Sequence, residues 1–260
     1  MEIGSVYEIN PDSVTGCMKN GTGDLTLHEV DKFGKQNTAF TGSGREAISL
    51  ALRSIEKENP AVTKKCLMPA YMCDTVFFPF SQNGWELAFY HIGKDMKADE
   101  KQLRYLIETE KPGMLFIHAY YGTDTWKELR PVLREYQNGG LLLMEDMTQS
   151  YYLRTEYHAD YLIGSLRKWY AVSDGGFVTT NHTLYLECVV KDDTFSCKRL
   201  KMQTDKWNYL KAMQTISREA SSDAEDRIRE LQKIKKEYLA QNRELEVCLD
   251  RNEKITQLSK

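Results

Sequence analysis

Between residues 66 and 145 the chain alternates short apolar runs with amphipathic stretches, and that alternation leaves few folds open. Runs at 66–69, 86–92, 114–119 and 141–145 read as strands, while 75–82, 98–110 and 126–138 carry apolar residues at helical spacing. A helix between two strands carries the chain back across the sheet, so the strands pair in parallel. One further strand at 38–41 and two at 161–164 and 176–180 complete a predicted α/β fold: a mainly parallel seven-stranded sheet with helices on both faces. Ligands of such sheets collect at the carboxyl ends of the strands. Ser43, Tyr71, Cys73, His118, Asp146, Ser165 and Lys168 all fall at or just beyond predicted strand ends.

Two stretches carry chemistry. The 38–41 strand runs into Gly42, Ser43 and Gly44, then into a helix whose apolar face is Ala47, Ile48, Ala51, Leu52 and Ile55. A strand, a glycine-rich turn and a helix start form a phosphate cradle, because free amides and the helix dipole point at the ligand. The Walker and dinucleotide spacings are absent, and the same residues would equally shape a turn with Ser43 as N-cap. The second stretch pairs LLLMEDMTQS, which ends a strand near Asp146, with SLRKWYAVSDGGF, in which Lys168 precedes a Gly-Gly pair by seven residues. A strand-end carboxylate and a loop lysine from one sheet suit pyridoxal 5'-phosphate: the lysine forms the Schiff base and the aspartate pairs with the pyridinium nitrogen. The plainer alternatives are a solvated Lys168, Asp146 as a helix cap, Gln149 on the surface and Ser165 in a turn. For His118 the satisfied core histidine is the favoured reading.

A net charge of -3 and a pI near 6.0 provide no field for nucleic acid or anionic lipid. No apolar run reaches membrane-spanning length, no signal peptide is visible, and the six cysteines contain no CxxC pair. These features predict a cytoplasmic protein with reduced thiols. The chain divides into an irregular arm over 1–36 with a turn at 21–24, a ligand-binding domain over 37–182, and a mostly helical segment over 183–260. Residues 183–220 are polar and show no clear period. A long helix then starts at a Ser222/Glu225 capping box, with a stripe of Ala224, Ile228, Leu231, Ile234, Tyr238, Leu245 and Cys248 that predicts packing along the large domain, the alternative being a coiled coil of irregular repeat.

In order along the chain, TGSGREAISLAL, LMPAYMCDTV, FIHAYYG, EDMTQS and SLRKW…DGG resemble the successive motifs of the DegT/DnrJ/StrS-type sugar aminotransferases, a fold-type-I pyridoxal-phosphate family. The resemblance implies Lys168 as the Schiff-base and proton-shuttling lysine, Asp146 at the ring nitrogen, and Gln149 near the ring hydroxyl. It also implies Gly42, Ser43, Gly44 and Ser165 at the phosphate. The residue that stacks on the ring aligns with Cys73, so that contact is either lost or supplied by Tyr71. The implied activity is transfer of an amino group, from glutamate, to a keto sugar carried on a nucleotide, by a homodimer. Lys168 argues for transamination over sugar dehydration, which replaces the lysine. Three departures accompany the match: Ser165 lies closer to Lys168 than in the family, the later Gly-x-Asn-x-Arg segment has no clear counterpart, and the chain is expected to lack the small domain that closes over the substrate. The alternative function is therefore a truncated, weakly active or inactive cofactor-binding homologue serving as a partner subunit.

Overall fold

The computed structural model describes residues 8–11, 32–153, 155–216, 224–251 and 254–257. The expected turn at 21–24, most of the 1–36 arm and the Ser222 cap lie outside them.

Seven short strands form one sheet: β1 (Asn37–Thr41), β2 (Lys65–Pro69), β3 (Glu86–Tyr90), β4 (Met114–His118), β5 (Leu142–Asp146), β6 (Tyr161–Ser165) and β7 (Gly176–Thr180), in the order β1-β7-β6-β5-β4-β2-β3. The strands β2 to β6 pair in parallel, whereas β7 runs antiparallel to both β6 and β1. Strand β4 is buried along its whole length, as a central strand covered on both faces must be.

Side chains alternate across the pleat and sort the core into two layers. Phe116, Met144 and Ile163 join Ala47, Ile48 and Leu52 of helix α1 (Gly44–Glu58). Leu115, Leu143 and Leu162 join Leu103 of α3 (Glu100–Glu110) and Leu133 of α4 (Arg130–Asn138) on the other face. The same alternation sends His118, Asp146 and Ser165, each two residues on from an α1-side core residue, toward the α1 face.

Local differences from the sequence reading have local causes. The helix expected over 126–138 begins at Arg130, with Pro131 in its first turn. Trp126 instead turns inward, and its indole donates to the His118 carbonyl at 2.9 Å. The 75–82 helix divides into a 3₁₀ turn (Asp74–Val76) and a short α2 (Phe77–Gln82). Strand β5 extends one residue further than expected, so Asp146 is its last member.

Beyond the sheet, α5 (Thr194–Ile216) occupies the stretch that showed no period, and α6 (Ala224–Arg251) pairs with it through Met202, Tyr238 and Leu245. Arg199, Gln203 and Lys206 are buried on α5 beside Met202, so its covered face is largely polar and no apolar stripe marks it. Two-residue strands β8 (Val189–Val190) and β9 (Ile255–Thr256), unforeseen in the sequence, pair in parallel at the two ends of this helical hairpin. Among the described residues no helix is long and apolar enough to cross a membrane.

On the α3/α4 face Glu145 is fully buried, and neither carboxyl oxygen has a hydrogen-bond partner among the described residues. Arg130 Nη2 stands 3.8 Å away but bonds Asp124 Oδ1 at 2.9 Å instead. Burial, only partly offset by Arg130, pushes Glu145 up to about 7. An acid whose native pKa is raised stabilises the fold while protonated, and that stability is lost as pH rises from its ordinary value, near 4.5, through about 7. Glu145→Gln is therefore expected to raise unfolding stability at pH 8 by up to roughly 3 kcal/mol and to change it little at pH 4.5. Urea denaturation at the two pH values checks this, and an equal effect at both would contradict it.

Candidate functional site

At the carboxyl ends of β4, β5 and β6 opens a cavity of about 1010 Å³, at the upper end of the range for small-molecule sites. Ser43, Gly44, Tyr71, Cys73, Asp146, Gln149, Ser165 and Lys168 line it, together with His118. These are all the expected site residues except Gly42. The structure places Gly42 behind the wall, where its amide donates to Thr256 O at 2.9 Å and to Glu46 Oε2 at 3.0 Å.

The cavity wall near β1 is the start of α1. Ser43 caps the helix, its Oγ accepting the Glu46 amide at 3.3 Å, and Ala47 donates the first full helical bond to Ser43 O at 3.0 Å. The amide of Gly44, on the cavity wall, therefore has no acceptor within its own helix. Backbone contact holds this turn against the sheet. A Cβ on Gly176 would stand 2.2 Å from Ser43 O, and Gly175, at φ +130, donates to Gly42 O at 2.9 Å. Only glycine permits both.

The floor is the pair His118–Asp146, side by side on β4 and β5. His118 Nδ1 lies 3.4 Å from Asp146 Oδ2, with side chains only 3% and 5% exposed. Asp146 Oδ1 also accepts the Thr148 amide at 2.8 Å. Burial by itself would raise the Asp146 pKa, but His118 and Thr148 outweigh it and hold the carboxyl below the ordinary aspartate range. Burial would likewise lower His118, yet Asp146 and Gln149 hold it above the ordinary histidine range. The ring of Tyr120 packs edge-on against the imidazole at 4.8 Å.

Lys168 ends a 3₁₀ turn (Leu166–Lys168) that leaves β6. Thr148, absent from the sequence reading, ties this turn to the aspartate. Its Oγ1 accepts the Ser165 amide at 3.1 Å and its carbonyl accepts the Trp169 indole at 2.9 Å. The signal was available, since an Asp-x-Thr at a strand end commonly folds as an Asx turn. At the mouth, the hydroxyls of Tyr71 and Tyr121 meet at 3.0 Å, and Gln149 Oε1 accepts the Tyr121 amide at 2.9 Å. Arg199 of α5 and Asn242 of α6 also line the cavity, as do Arg45 and Arg167. Both helices reach the site through tertiary packing that no local motif marks. The lining is thus strongly cationic, and Asp146 is its one carboxylate among the described residues.

The His118–Asp146 pair makes a pH-dependent contribution to stability. The depressed aspartate contributes above its unfolded pKa, near 3.9, and the raised histidine contributes fully below its unfolded value, near 6.5. Between those limits both groups are charged. His118→Gln is expected to cost roughly 3 kcal/mol at pH 5.5 and clearly less at pH 8.5, once the native imidazole gives up its proton. Denaturation midpoints of both proteins at the two pH values are the check, and a pH-independent loss would refute the ion pair.

No protein-family model matches the sequence, and no curated protein resembles it at the sequence level. Solved structures are similar to it in fold. A GDP-4-keto-6-deoxymannose-3-dehydratase with bound GDP-perosamine superposes at a TM-score of 0.56 and 15% identity, over 69% of this chain and 52% of that one. A sugar aminotransferase from Micromonospora echinospora gives 0.52 and 17%, over 69% and 54%. A histidinol-phosphate aminotransferase from Clostridium acetobutylicum gives 0.51 and 13%, over 82% and 76%. The chain spans about half the length of the first two. The likeness shows the fold, which is that of the fold-type-I pyridoxal-phosphate enzymes.

Proposed function

We propose that the cavity holds pyridoxal 5'-phosphate and that the protein is an aminotransferase acting on a keto sugar carried on a nucleotide, with glutamate as donor. One observation carries the reading: Asp146, buried and held by His118 and the Thr148 amide, lines a single cavity with Lys168, and the wall of that cavity is the start of α1. The residues fit the group. Ser43 and the Gly44 amide would take the phosphate, with Ser165 beside them, and Asp146 would face the ring nitrogen. Gln149 would lie by the ring hydroxyl, and Tyr71 or Cys73 would cover the ring face.

When bound, the cofactor supplies an electron sink for the pair freed at the substrate carbon. Asp146 keeps the proton on the ring nitrogen, because His118 and Thr148 keep Asp146 itself ionised. The amine of Lys168 is the covalent anchor and then the base that moves a proton at the substrate carbon bearing nitrogen. Arg45, Arg167 and Arg199 suit the carboxylate and phosphate groups of the substrates. The sugar and its nucleotide rest on the resemblance and on similar structures that include a sugar aminotransferase and a dehydratase with bound GDP-perosamine, whereas assembly into a homodimer rests on the resemblance alone.

The purified protein should be yellow, and borohydride should fix the cofactor on the peptide containing Lys168. Colour that persists in Lys168→Ala without added amine, or label on another lysine, would defeat the assignment. Asp146→Asn should still bind the cofactor but turn over on the order of hundreds of times more slowly. Wild-type turnover in that variant would make Asp146 structural.

A further inference from the structure

The turn that carries Ser43 and Gly44 is held from behind by a segment far away in the sequence. One carboxylate oxygen, Glu46 Oε2, accepts three hydrogen bonds: from Gly42 N at 3.0 Å, Thr256 N at 3.0 Å and Thr256 Oγ1 at 2.8 Å. Glu46 is buried, and Thr256 O accepts the Gly42 amide in return at 2.9 Å. The fit is tight: a Cβ on Gly42 would stand 2.3 Å from Thr256 Oγ1.

The segment that supplies Thr256 is anchored in turn. Ile255 pairs with Val189, and Gln257 N donates to Val190 O at 2.9 Å. Strands β8 and β9 thereby join the two ends of the α5–α6 hairpin next to the turn. That hairpin also supplies Arg199 and Asn242 to the cavity lining, and the Asn242 amide oxygen is buried without a hydrogen-bond partner among the described residues. At its base, Gln203 Nε2 donates to Val172 O at 3.2 Å and Ser173 meets Ser196 at 3.0 Å, which fastens α5 to the loop after Lys168.

We infer that Glu46 and Thr256 form a clamp that positions the phosphate-binding turn and couples its occupancy to the docking of the α5–α6 hairpin over the cavity. This rests on the proposed phosphate site. Gly42 serves the clamp, and Ser43 and Gly44 serve the ligand. Coupling of this kind is reciprocal: an anion that fixes the turn tightens β9, and a loosened β9 weakens anion binding. Glu46 and Thr256 are positioning residues that act through the turn.

The test separates a phosphate-specific role from plain loss of structure. The native chain, Thr256→Val and Thr256→Ser are each titrated with pyridoxal 5'-phosphate and with pyridoxal, which lacks the phosphate. The readout is the absorbance that depends on Lys168. Thr256→Val should weaken pyridoxal phosphate roughly tenfold and leave pyridoxal unchanged, while Thr256→Ser, which keeps the hydroxyl, should restore binding. Hydrogen exchange of the native chain with inorganic phosphate alone should slow at residues 254–257. Equal weakening of both ligands, no weakening, or exchange indifferent to phosphate would overturn the clamp. If phosphate slows exchange while neither pyridoxal compound binds through Lys168, the cofactor reading falls and the anion clamp stands.

Discussion

The site depends on one place where two stretches of backbone touch. Strand β7 runs against its neighbours, so its first residue, Gly176, lies at the sheet edge where β4, β5 and β6 end. There it meets the turn between β1 and α1 with no room for a side-chain carbon: a Cβ would lie 2.2 Å from Ser43 O and 2.6 Å from Gly44 N. Gly44 also lies close to β6, where an added Cβ would stand 3.3 Å from the Ser165 Cβ. This contact sets the helix start of α1 beside the turn bearing Lys168. Any larger residue at Gly176 would push the two apart before it altered a single polar group.

Adjacent carboxylates on β5 show how far the pleat decides chemistry. Glu145 and Asp146 are both buried, yet one faces α3 and α4 and the other faces the cavity. Asp146 has a histidine, an amide and the open cavity around it, so it stays ionised. Glu145 has an arginine already bonded to Asp124 and no hydrogen-bond donor among the described residues, so burial dominates. A one-residue slip of β5 would exchange these environments and leave the cavity lined by the carboxyl that favours its proton.

Much of this was legible because it is local. Periodicity placed all seven strands to within about two residues at each end, and the strand-end rule brought Asp146, Ser165 and Lys168 to one cavity. What stayed hidden is tertiary. Helix α5 buries Arg199, Gln203 and Lys206 in place of an apolar stripe, so no hydrophobic period announces it. The two-residue strands β8 and β9 are too short to leave a pattern. Gly42 reads as a phosphate ligand from its motif, and only the arrival of Thr256, 210 residues beyond Glu46, shows that its amide is already engaged. His118 reads as an ordinary core histidine until the register of β4 on β5 sets it against Asp146.

The place of β1 in the sheet bears on when the site can exist. Within the sheet its hydrogen-bonded neighbour is β7, in a register that runs from Asn37 on Thr180 to Thr41 on Gly176. The strand that comes first along the sheet segment therefore waits for the strand that comes last. During synthesis, β2 to β6 can begin to pair as each leaves the ribosome, whereas β1 and the turn after it gain their docking edge only once Gly176–Thr180 has emerged. Closing so long a loop makes this a late step in assembly, and until it is taken the nascent chain has a sheet but no pocket.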